Sequence, residues 1–331
     1  MADGNSNLKG VLLALAAFGI FATHDVIIKY LGGSYSAFQI VFFSVLFGFP
    51  LVTFMLMRNA DGANLRPVHP WWVAIRTGAT VITAATAFYA FSVLPLAQVY
   101  AILFAAPLLI TVLAIPMLGE KVGIRRGLAV LVGLGGVIIV LQPNTTDLQL
   151  GHAAALIAAV CGAFSSVIVR KIGREERSVV LILYPMMANV VLMGAALPFV
   201  YVPMPGIDLA ALAVIAALAL IATSCLILAY RLAPAATVAP MQYSQILWAS
   251  VYGVLLFGEA LEWATVAGTA VIVASGLYIV FREDRGGNSA NTPVLRSRSR
   301  AGSPSAPRVA PFLPHEQRGP IIPPGMTKAL Q

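Results

Sequence analysis

Charge is what this chain has least of. Asp, Glu, Lys and Arg make up 10% of its 331 residues, while 59% are hydrophobic; a soluble domain carries roughly a quarter charged residues. So small a supply cannot cover a soluble fold of this length, which excludes a water-soluble globular protein and leaves a bilayer as the solvent. Cysteine is almost missing too. Cys161 and Cys225 both lie in apolar segments, so neither a disulfide nor a metal framework is expected, and both read as packing. The four histidines, His24, His69, His152 and His315, show no His-Glu-x-x-His spacing, and no Gly-x-Ser-x-Gly elbow or Walker loop occurs. The glycines at 133, 135 and 136 have neither a preceding strand nor a following Lys-Ser/Thr, so they read as close helix packing. These absences argue against an enzyme and against an ATP-driven pump acting alone; no cofactor and no metal are expected.

Long apolar runs are abundant. They extend over about Gly10 to Leu31, Ser36 to Met57, Trp71 to Leu94, Leu96 to Leu118, Arg126 to Leu141, His152 to Ile172, Val179 to Tyr201, Asp208 to Tyr230, Ala235 to Phe257 and Trp263 to Phe281. The first is too long for a signal-peptide core and lacks a cleavage site, so it reads as a retained span. Leu94-Pro95 and Ala233-Pro234 are predicted helix corners, because proline lacks an amide donor and disfavours helix before it. The expectation is an all-α polytopic membrane protein with ten transmembrane helices.

The stretch from Pro95 to Glu120 recurs, without a gap, from Pro234 to Glu259. Both copies open with Pro-x-Ala-x-Val and close with Gly-Glu, at a constant offset of 139. Matching Leu108 with Leu247 and Val112 with Val251 puts shared residues on one helical face, as a duplicated packing surface would. The first span matches the sixth through Ala14/Ala155, Val26/Val167 and Lys29/Arg170; the fifth matches the tenth through Gly127/Gly268 and Gly135/Gly276. Five spans per half is odd, so the second half must enter from the other side and the repeats are inverted.

With the N-terminus inside, 14 cations fall on the cytoplasmic side and only Lys29 on the other. The positive-inside rule therefore predicts both termini in the cytoplasm. Trp71 and Trp72 read as an interfacial belt, with Arg76 reaching back to head groups. The expected division is residues 1–9, a cytoplasmic N-terminus; 10–141, the first repeat; 142–151, a periplasmic linker; 152–283, the second repeat; and 284–331, a disordered basic tail rich in Gly, Ser, Pro and Arg. The net charge of +8 is thus spread over loops and tail, and no nucleic-acid partner is expected.

Ionisable groups inside a span are costly, which makes His24 and Asp25 the first functional candidates. They bind a polar group of a solute or cycle a proton on one reading; on the other, Asp25 simply pairs with Lys29 four residues on. Gln98, Tyr100 and Phe104 in the fourth span, and Gln242, Tyr243, Gln245 and Trp248 in the ninth, offer amides and rings suited to a flat solute with polar edges. Tyr243 stands where Phe104 stands at the repeat offset. Glu120 and Glu259 read as caps or partners of loop cations, and Asn189 and Thr223 as interhelical glue.

The doubled Pro-x-Ala-x-Val to Gly-Glu unit resembles the drug/metabolite transporter superfamily, in its EamA-domain branch, over about residues 8 to 283. The run His24-Asp25-Val26-Ile27-Ile28-Lys29-Tyr30-Leu31-Gly32 and the segment Ala239-Pro240-Met241-Gln242-Tyr243 resemble bacterial riboflavin transporters of the RibN type, with S-adenosylmethionine uptake carriers next. That resemblance implies import of a riboflavin-like or nucleoside-like metabolite across a bacterial inner membrane. A metabolite or drug exporter of the same family is the alternative, and a membrane sensor signalling through the tail is the alternative from another class. Homodimerisation is left open.

Overall fold

The computed structural model describes residues 4–57, 66–119, 123–142, 149–173, 175–233 and 235–285. Glu120, Pro234, most of the expected linker and nearly all of the expected tail lie outside the described residues. The described chain is helical: α1 (Gly4–Gly32), α2 (Ala37–Met57), α3 (Pro70–Val93), α4 (Leu96–Leu103), α5 (Ala106–Leu118), α6 (Ile124–Leu141), α7 (Leu150–Ile172), α8 (Ser178–Val200), α9 (Gly206–Leu232), α10 (Ala235–Val238), α11 (Ser244–Phe257) and α12 (Trp263–Arg285). Among the described residues, six stretches are long and apolar enough to cross a membrane by themselves, Leu8–Gly32 and Gly206–Leu232 included. All ten expected spans are present. The fourth is α4 followed by α5; the ninth is α10, a 3-10 turn over Ala239–Tyr243, and α11.

Both repeat copies are therefore broken at the same level. Pro107 sits at the start of α5 and cannot donate to the carbonyl four residues before it, so the helix is interrupted at Phe104 and Ala105. In the other copy Pro240 tightens the chain into the 3-10 turn that ends on Tyr243. Different prolines produce the same interruption. The Gly-Glu closure also has a physical reason: Gly119 (φ 68°) and Gly258 (φ 63°) are left-handed caps, a conformation that side chains resist.

Most of the heaviest pairings of elements survive exchange of the two halves, whereas the α1 and α2 contacts with α3 have no equal between α7, α8 and α9. α1 packs along α9 as α7 packs along α3, α5 on α7 as α11 on α1, and α2 on α9 as α8 on α3; α6 with α12 and α2 with α8 are their own counterparts. The loops repeat the pattern. At one rim Tyr35 donates to Asp208 (2.5 Å) and Gln39 exchanges two bonds with Val202; at the other Glu176 accepts the Val68 and His69 amides, and His69 lies 2.6 Å from Glu175. The bond to Asp208 pushes the Tyr35 phenol above its usual pKa. Lipid tails are as apolar as leucine, so close packing rather than hydrophobic exclusion must hold such spans together. Ala14 and Ala17 on α1 and Ala222 and Ala229 on α9 form that kind of contact, and α6 and α12 cross with Gly136 and Gly268 backbone to backbone.

Four expectations are corrected. The duplicated packing surface is not duplicated in environment: Leu108 is fully buried over Gly133, whereas Leu247 is 67% exposed. Ala274 stands where Gly133 would have its counterpart, so no matching groove exists. Arg76 does not reach the head groups; it is 3% exposed, because it shares the α3 face of Val73, Ala79 and Thr83, which packs on α7 and α8. Asn189 and Thr223 do not join helices. Each donates to the carbonyl four residues earlier in its own helix, Pro185 and Ala219, the nearest acceptor in apolar surroundings.

Candidate functional site

Three spans meet at one buried polar chain. On α1, His24 and Asp25 are 0% and 2% exposed, and His24 Nδ1 lies 2.7 Å from Asp25 Oδ1. The Tyr100 hydroxyl, from α4, donates to the other carboxylate oxygen of Asp25. Gln245 Nε2, from α11, reaches the same hydroxyl at 3.3 Å. Helical spacing alone turns His24 and Asp25 to the interior, since Phe21, Ala22 and Ile28 are buried with them. Neighbouring residues on one helix point about 100° apart, so the imidazole can hold one carboxylate oxygen and leave the other for Tyr100.

Rings enclose this chain. Phe91 meets Tyr100 edge-on with centroids 5.4 Å apart, Tyr100 is 5.8 Å from Phe104, and Phe104 meets Tyr243 edge-on at 5.2 Å. Phe88 sets its edge against His24 at 6.4 Å. The two residues at the helix breaks, Phe104 and Tyr243, are thus face to edge with each other, which joins the interrupted spans at the pseudo-symmetry axis. Interrupted helices at matching levels of inverted repeats are where transporter sites are built, because unwound backbone and polar side chains become available there.

Of the nine residues singled out from sequence, His24, Asp25, Tyr100, Phe104, Tyr243 and Gln245 converge. Gln242 lies in the 3-10 turn, half-buried. Gln98 is buried but lines a separate small cavity with Ser250, Glu259 and Thr265. Trp248 is 41% exposed, lies against Gly19 and stacks on Tyr252 at 6.3 Å, on the flank of the bundle. The alternative pairing of Asp25 with Lys29 is not formed. Lys29 Nζ instead bonds Glu259 at 2.8 Å and the Leu94 carbonyl at 2.6 Å. Glu259 neither caps the helix that follows it nor meets a loop cation: its cation comes from inside the first span, and its other oxygen accepts the Leu96 amide at the start of α4. His24 pairs with Asp25, its neighbour in the sequence.

Sequence reasoning missed Phe88 and Phe91, which carry no signal beyond being aromatic, and the Thr23 to Tyr252 hydroxyl contact at 3.1 Å. It also missed Gly276. A methyl group there would collide with the Tyr243 hydroxyl, so this glycine fixes the ring's seat. Gly276→Ala is expected to cost about 1–3 kcal/mol by overpacking, read as a melting temperature lowered by roughly 3–8 °C in tryptophan-fluorescence unfolding. Adding Tyr243→Phe should recover most of the loss; equal melting points for the parent and Gly276→Ala would contradict this seat.

Ten helical spans in two halves that pack alike, joined at their breaks around a buried carboxylate and a ring cluster, define a multi-pass membrane carrier. Residues 8–142 and 149–281 each match the EamA-like transporter family, and the chain belongs to it. It is 23% identical to an S-adenosylmethionine uptake transporter of Rickettsia prowazekii over 84% of this chain and 94% of that one. A riboflavin transporter of Rhizobium johnstonii is 26% identical over 73% of this chain and 79% of its own. A pseudopaline exporter of Pseudomonas aeruginosa is 26% identical over 81% and 94%. A solved crystal structure shares the fold with a TM-score of 0.56 and 17% identity, covering 86% of this chain and 99% of that one.

Proposed function

We propose that this transporter imports a flat heteroaromatic metabolite with a polar side chain, riboflavin first among candidates, across a bacterial inner membrane. The observation that carries the reading is the His24, Asp25, Tyr100 and Gln245 chain beneath the Phe91, Phe104 and Tyr243 rings. Rings stack on a planar solute, while the carboxylate and amide take its edge groups. Bodies that each draw spans from both repeats, as α1 with α9 and α3 with α7 do, rock about this site and expose it to each side in turn. Both termini lie in the cytoplasm, and the tail from residue 284 onward plays no part in flux.

S-adenosylmethionine is the second reading. The buried Asp25 carboxylate favours a solute that carries positive charge, which riboflavin does not. The test is uptake of labelled riboflavin into a riboflavin-requiring strain with and without the gene, run beside labelled S-adenosylmethionine. Accumulation of the vitamin above the control supports the first reading, and accumulation of the sulfonium compound alone supports the second. A truncation after Arg285 is expected to retain at least half of the flux; loss of flux in a normally inserted truncation would favour signalling through the tail.

A further inference from the structure

One helical turn along α1 from Asp25, an ion pair joins the two halves. Lys29, near the end of α1, is 12% exposed and Glu259, after α11, is 13% exposed; their charged atoms are 2.8 Å apart. Each is tied again to the corner between α3 and α4. Lys29 donates to the Leu94 carbonyl at 2.6 Å, and Glu259 Oε2 accepts the Leu96 amide at 3.0 Å. Glu259 folds back to do so over Gly253, where any side chain would strike its carboxylate.

Beside this pair lies a cavity of about 20 Å³, lined by Gln98, Ser250, Glu259, Glu262 and Thr265. That is space for one water or one compact head group, far too little for a ring system. Gln98 is 7% exposed, and its side-chain amide makes no hydrogen bond among the described residues. A buried amide with no hydrogen bond among the described residues thus faces a chamber that has a carboxylate on its wall.

The geometry points to a second subsite here, one that takes the compact cationic head of a solute. The resident ammonium of Lys29 is the template: Glu259 already holds a cation at this spot, and a solute ammonium, steadied by the Gln98 amide, exchanges with it. Exchange frees Lys29 and undoes the tie between the halves at this end. This inference rests on the carrier reading above and adds a cation-selective mouth to it.

The test needs no transported solute, so its outcome is separable from that of the uptake assay. Ser250→Cys, in a chain carrying Cys161→Ser and Cys225→Ser, is purified in detergent and reacted at neutral pH with an aminoethyl and a sulfonatoethyl methanethiosulfonate. Rates are normalised to those with a free thiol. The cationic reagent should win by tenfold or more, Lys29→Gln should raise its rate about tenfold further, and Glu259→Gln should erase the preference. Thr265→Cys on the opposite wall serves if the first variant does not fold. Equal normalised rates for both reagents, a preference that outlasts Glu259→Gln, or no labelling even with Lys29→Gln would overturn the proposal.

Discussion

Asp25→Asn is expected to lower initial transport rates ten- to a hundredfold while leaving the amount of protein in the membrane unchanged. Asparagine keeps the shape of the side chain but loses the charge and presents an NH₂ where an acceptor is required. His24 and Tyr100 both address the Asp25 carboxylate; with the amide, Tyr100 donates to a neutral oxygen and His24 keeps its bond only in the tautomer whose Nδ1 accepts, so both lose a charged partner. A buried hydrogen bond to a charged group is worth about 1.5–3 kcal/mol, and roughly 1.4 kcal/mol is a factor of ten, which gives the range. Tyr100→Phe removes one donor without removing the charge and should cost less than Asp25→Asn. The measurement is uptake of labelled solute per unit of membrane-inserted protein, determined by immunoblot. Wild-type rates in Asp25→Asn would reduce the carboxylate to a structural partner of His24 and move the search for the solute site elsewhere.

The second large effect concerns assembly. In Gly268→Val the first added carbon would lie 2.6 Å from the Gly136 carbonyl oxygen and 3.0 Å from the Val140 amide nitrogen. Both are backbone, and backbone in a packed helix cannot rotate aside as a side-chain tip can. The α6 and α12 crossing must therefore open, at a cost of about 3 kcal/mol, and the melting temperature should drop by roughly 5–10 °C. Gly135→Ala supplies the control. It is the neighbour of Gly136, yet nothing lies within 4 Å of where its methyl group would stand, so its melting point should match or exceed that of the parent, alanine being the better helix former. A Gly268→Val protein as stable as Gly135→Ala would mean that this glycine contact does not hold the two spans together.

How far the site was legible depends on the kind of signal. His24 and Asp25 stood out because ionisable groups are rare in apolar spans, and Tyr100 and Gln245 because they lie in the repeated unit. Trp248 and Gln98 had the same credentials and went elsewhere. Trp248 sits on the flank of α11, 41% exposed. Gln98 is two residues from Tyr100, about 200° around the helix, and so faces the Glu259 chamber rather than Asp25. Because the fourth span breaks at Phe104, a periodicity drawn straight through it could not say which of these residues shared a face with the site.

The sequence by itself determined the solvent, the number of spans, the corner at Pro95, the doubling of the chain and the Gly-Glu pair that closes the repeated unit. These follow from apolar run length, from proline and glycine geometry and from spacing, all of which act within a few residues. Only the tertiary structure decided that Lys29 answers Glu259 and not Asp25, that Leu108 is buried while Leu247 is exposed, and that Phe104 and Tyr243 touch. Those outcomes depend on contacts between residues that lie on different helices and far beyond a few positions apart in the chain. A repeat that copies a sequence does not copy the neighbours against which that sequence packs.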